Sequence, residues 1–111
     1  MKFLLLLYGD EAAEEALPVS EQRRVMDEHE TFGDHLRDDG AYVFGVALDQ
    51  STTAATLRDD TVTAGPFAAG RDQMGGIYVI QCADLDQALA YAKQVPKTPG
   101  LTVEVRPLLD I

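Results

Sequence analysis

The sequence predicts an α+β domain of ferredoxin-like plan, in which two β-α-β units joined by a hairpin form one antiparallel sheet with both helices on one face. Three observations carry this. Strand-length apolar runs lie at 2–8, 41–48 and 75–82, and segments of helical period follow the first and the third of them. The segment 101–107 alternates strictly between apolar and polar residues. At 111 residues the chain has room for one modest core and no second domain.

Residues 2–8, KFLLLLY, are apolar on both parities, which suits a strand covered on both faces and central in its sheet. Gly9 and Asp10 end it. The Ala/Glu-rich segment 11–18 reads as a loop or a short helical turn closed by Pro18. Ser20 is the expected N-cap of the first long helix, with Glu21 in its first turn and Gly40 as its terminator. Val25, Met26, Phe32 and Leu36 form its apolar stripe. His29 falls near the middle of that stripe, and His35 lies on the flank.

The second strand is 41–48, AYVFGVAL, with Gly45 a possible bulge. Residues 53–63 read as a small hairpin turning at Asp59-Asp60. After the loop TAGPFAAGRDQM comes the strand 75–82, GGIYVIQC. Asp84 and Gln87 have capping-box spacing for the next helix, whose expected inward stripe is Leu85, Ala88, Leu89, Ala92 and Val95. Pro96 stops it. In the last strand Leu101, Val103 and Val105 point inward, and Thr102, Glu104 and Arg106 outward.

Composition excludes several functions. The formal charge is −10, from nine basic and nineteen acidic residues, and the basic ones are scattered. That balance argues against a nucleic-acid partner and against an anionic membrane surface. The opening apolar run is too short for a signal peptide, and acids follow it where cleavage would fall, so the expected location is the cytoplasm. The single cysteine, Cys82, forms no internal disulfide and reads as packing. His29, His35 and Cys82 lack metal-ligand spacing, and no nucleotide-binding glycine motif occurs; no metal and no cofactor is expected.

The segments KFLLLLYGDE, TAGPFAAGRDQMGGIYVIQCADLDQALAYAKQVP and VEVRPL together resemble the YCII-related proteins, and within them the DGPF-domain subgroup. The resemblance implies a bacterial chain and a dimeric α+β barrel, two ferredoxin-like subunits packed by their sheets. It also implies association with extracytoplasmic-function sigma factors and an unestablished biochemical function. Relatives on the same barrel include small lyases and isomerases. One departure stands out: Ala64 occupies the place of the aspartate that usually precedes Gly-Pro-Phe. The resemblance also maps the family's suggested His–Asp active pair onto His29 and Asp10.

His29 is the leading catalytic candidate, because an imidazole near neutrality moves protons in either direction. Asp10 would fix its tautomer through a hydrogen bond. Tyr8 would present its hydroxyl beside Asp10. Gly65, Pro66 and Phe67 would form a stiff loop laying an aromatic ring over a cavity or over a partner subunit. The expected ligand is an unidentified small molecule, bound between the first long helix, the end of the first strand and this loop. The strands' second apolar face requires a cover, and a homodimer supplies it. The alternative is a regulatory module that binds a protein partner without catalysis.

Overall fold

The computed structural model describes residues 1–110. Its elements are β1 (Lys2–Asp10), a short helix α1 (Glu11–Glu15), α2 (Val19–Asp38), β2 (Tyr42–Ala47), β3 (Ala55–Arg58), β4 (Thr61–Ala64), β5 (Asp72–Gln81), α3 (Leu85–Ala92) and β6 (Thr102–Pro107). Four strands form a sheet in the order β2-β5-β1-β6, every neighbouring pair antiparallel. This α+β arrangement is compatible with the ferredoxin-like plan.

β1 lies inside the sheet, between β5 and β6, as its apolar composition requires. Phe3, Leu5 and Leu7 are buried against Phe32 and Leu36 of α2, Ile80 of β5 and Ala88, Tyr91 and Ala92 of α3. Val103 and Val105 of β6 pack against the same core, as the alternation of that strand predicts. The opposite face carries two apolar rows in register across three strands: Phe44, Val79 and Leu4, then Val46, Ile77 and Leu6. Phe44 and Val46 are exposed there.

α2 starts one residue before the expected cap. Pro18 precedes its first turn, and its carbonyl accepts from the N–H groups of Glu21 and Gln22 at 2.9 and 3.0 Å. Ser20 is already helical, so it makes no cap. The C-terminal end is as expected. Gly40 takes φ +70°, its N–H donates to Arg37, and the N–H of Ala41 donates to Leu36, the paired bonds that satisfy carbonyls at a helix end.

The stripes differ in detail from the periodic reading. On α2, Phe32 and Leu36 are buried, whereas Met26 is 70% exposed. The large buried residues of the helix all fall in its C-terminal half, and Val25 and His29 of the N-terminal half and middle are half-buried. On α3, Leu85 and Leu89 are exposed and Tyr91 is buried instead. The Tyr91 hydroxyl donates to Asp39 at 2.8 Å, which is how a phenol enters this core. The α3 cap follows the motif: Asp84 accepts from Gln87 N–H at 2.9 Å, and the Gln87 side chain accepts from Ala83 N–H at 2.7 Å.

Two strand features also differ. β5 begins at Asp72, three residues early, because its start pairs with the end of β1 beyond a bulge at Leu7/Tyr8. The irregularity in β2 falls between Tyr42 and Phe44, not at Gly45. β3 and β4 form a separate two-stranded hairpin with Asp59 and Asp60 at φ +49° and +64°, the tight turn expected there. Its cross-strand pair Leu57 and Val62 is exposed. No described helix is long and apolar enough to cross a membrane.

Leu5 is fully buried at the centre of this packing. The Leu5→Ala variant is expected to lose about 3 kcal/mol of stability, read as a lower urea midpoint at unchanged slope.

Candidate functional site

A cleft of about 560 Å³ opens between strands β2 and β5 and the face of α2 that runs from Gln22 to Arg37. Leu7, Val25, Met26 and Leu101 give it a largely apolar wall. His29 faces into it from α2, and Tyr78 from β5.

These two side chains meet. The Nδ1 atom of His29 lies 2.7 Å from the Tyr78 hydroxyl, and the rings stack with centroids 5.9 Å apart at 16°. Phe32 packs edge-on against Tyr78, with centroids 5.1 Å apart. Tyr78 is therefore held by both a core phenylalanine and the imidazole.

Gly45 makes this position available. It pairs with Tyr78 across the β2–β5 ladder, and a Cβ there would lie 2.8 Å from two ring carbons of Tyr78. The glycine that reads as a bulge in the sequence is a gap cut for an aromatic ring.

Burial sets the protonation of the pair. It pushes His29 below the ordinary histidine value, with neighbouring Glu28 opposing it weakly. Burial pushes Tyr78 above the ordinary tyrosine value, reinforced by Tyr42 and opposed by Arg37. Both groups are thus neutral near pH 7. If the phenol donates to Nδ1, Nε2 carries the imidazole proton. If Nδ1–H donates to the phenol oxygen, Nε2 has a free lone pair. The same pair therefore offers either an acid or a base at Nε2.

The other sequence candidates fall elsewhere. Asp10 is the N-cap of α1: its carboxylate accepts from Ala13 N–H at 3.1 Å and lies 4.0 Å from Arg71. Among the described residues it makes no hydrogen bond or ion pair with His29, whose ring partner is Tyr78. The reason is local. Residues 11–15 form a true helix, and its N-terminus draws the nearest carboxylate. Tyr8 borders the cleft, but strand alternation assigns its side chain to the face of Leu4 and Leu6.

Gly65, Pro66 and Phe67 do not line the cleft. They close the hairpin: Gly65 takes φ +100°, its N–H donates to Ala54 at 2.7 Å, and its carbonyl accepts from Thr56 Oγ1 at 2.9 Å. Phe67 is 76% exposed. Burial pushes the Cys82 thiol up, away from thiolate chemistry. Among the described residues no group of three His, Cys, Asp or Glu is arranged to hold a metal ion.

The sequence reading missed Tyr78 and the purpose of Gly45. Strand parity carried a signal for the first, since Tyr78 shares the inward parity of Ile80. Nothing in the sequence alone paired it with His29.

The YCII-related domain matches residues 1–111. An uncharacterised protein of Rhizobium meliloti (strain 1021) is 35% identical over 114 residues, spanning 97% of this chain and 92% of the relative.

Two outcomes are expected. Gly45→Ala displaces the Tyr78 ring, lowering stability by about 1–3 kcal/mol and removing the His29 contact, seen as a changed His29 imidazole spectrum by NMR. The second concerns pH. With the folded-state value of His29 depressed, the unfolded chain binds the proton more readily. Stability therefore falls as pH drops through the ordinary histidine value toward the depressed one. Urea midpoints measured across that range are expected to decline less in His29→Gln than in the native chain.

Proposed function

We propose a function from one premise: the chain belongs to the YCII-related family, and in it His29 and Tyr78 face a small apolar cleft where an organic molecule binds and exchanges a proton. The observation that carries this reading is the 2.7 Å contact between Nδ1 and the phenol at the cleft wall. A histidine whose Nδ1 is already engaged has a defined ring orientation, and its Nε2 is the proton-transferring atom. Tyr78 takes the orienting role that the family resemblance suggests for Asp10. The reaction class is a lyase- or isomerase-type step, in which a proton leaves one carbon of the substrate and the electron pair is taken up within the substrate itself. The apolar wall excludes water and keeps the imidazole neutral until it acts.

The assembly is part of the same reading. A second copy covers the apolar rows of Phe44, Val46, Leu4, Leu6, Ile77 and Val79, sheet to sheet. These rows run in register over three strands, a flat apolar surface that a solitary chain would leave to water. The DGPF subgroup placement rests on Gly65-Pro66-Phe67 and their spacing to Gly75-Gly76, with Ala64 as its departure. Bacterial origin and a cytoplasmic location belong to the same reading.

A second reading is a binding module for a protein partner, a sigma factor among the candidates. It draws support from the projecting hairpin, where Leu57, Val62 and Phe67 are exposed.

The test is substrate screening followed by substitution. His29→Ala is expected to abolish turnover of any substrate found, and Tyr78→Phe to lower it about 10-fold to 100-fold while shifting its pH profile. Turnover unaltered in His29→Ala removes the mechanism. The assembly is read by sedimentation: a dimer is expected, and Val46→Asp is expected to yield monomers.

A further inference from the structure

The cleft contains one cation among its described lining residues, Arg37, and its placement identifies what the site takes. His29, Gly33 and Arg37 follow one another at four-residue intervals, so they share one face of α2 on successive turns. Gly33 has no side chain, and the arginine uses the vacancy. A Cβ on Gly33 would lie 3.2 Å from Arg37 Nη1, so the guanidinium folds back over that glycine toward His29. Its central carbon sits 4.1 Å from the centre of the Tyr42 ring, which faces the same cleft from β2. One exposed partner, Asp34, lies 3.3 Å from Nη1. An ion pair so open to water holds the cation weakly and leaves its other donors free.

We propose that the cleft binds small, mostly apolar carboxylic acids, with the carboxylate on Arg37 and the apolar body along the wall beside His29 and Tyr78. The proposal rests on the cleft reading above and specifies its ligand class. A guanidinium presents paired N–H donors in a rigid plane whose spacing matches the two oxygens of a carboxylate, and contact with the Tyr42 ring fixes where that fork lies. Glu14 and Glu30 also border the cleft. They repel an anion elsewhere along the wall, so the acid group has one place to sit and the molecule one orientation. That orientation directs the carbons next to the carboxylate toward His29, one helical turn beyond the glycine that the guanidinium covers and two turns before Arg37.

The experiment uses the full chain and three probes: benzoate, phenylacetate and hexanoate, each compared with its primary amide. Binding is followed by NMR through the His29 and Tyr78 ring signals. At least one acid is expected to bind and move both sets of signals, and to bind about tenfold or more tightly than its amide. Arg37→Gln is expected to erase that preference without changing the His29 contact to Tyr78. Asp34→Asn, which releases the guanidinium, is expected to tighten acid binding a few-fold. Equal binding of acids and amides with His29 signals moving overturns the carboxylate assignment and leaves the cleft reading standing. Acid preference that survives Arg37→Gln overturns the role of the arginine. No binding by any acid or amide overturns both the ligand class and the cleft reading.

Discussion

The packing of one half of α2 on the sheet decides the rest of the molecule. Phe32 and Leu36 seat the C-terminal half of that helix on Phe3, Leu5 and Ile80. The N-terminal half has no equivalent large buried residue: Met26 is mostly in water, and Val25 and His29 are half-buried at the cleft wall. The cleft lies along this less tightly packed face, and the side chains that border it are those the helical period brings there.

The cleft also explains the electrostatics. A site walled by apolar side chains penalises charge, so a histidine and a tyrosine there are pushed in opposite directions, both toward neutrality. The hydrogen bond between them satisfies one polar atom on each ring and leaves Nε2 free. Most of the chain's nineteen acidic residues cannot take part in this balance, because they lie on exposed surfaces such as the outer face of α2. The large negative charge and the neutral pair therefore coexist with little mutual effect.

Much of this architecture was legible in the sequence. The doubled apolar parity of KFLLLLY marked an inner strand, the alternation of LTVEVRP assigned every inward residue of β6 correctly, and Gly40 and Asp84 marked helix ends through their backbone chemistry. Periodicity failed where packing is one-sided. Met26, Leu85 and Leu89 lie on stripes computed for evenly buried helices, and these helices are buried along part of their length only. Half of the candidate site was legible too. His29 stood out as an imidazole on an apolar face, but its partner comes from a strand 49 residues away. The family resemblance pointed to Asp10 instead, and the backbone of α1 claims that carboxylate. Gly45 carried information that only the register decodes, since its meaning lies in the residue opposite.

The place of β1 in the sheet has a consequence for biosynthesis. Phe3 is joined on one side to Ile80 and on the other to Pro107. A ribosome therefore releases the stickiest segment of the chain long before either neighbour exists, and the ladder closes only after residue 107 has emerged. Until residue 81 has emerged four consecutive leucines have no strand partner within the nascent polypeptide, and one edge of that strand stays open until β6 follows.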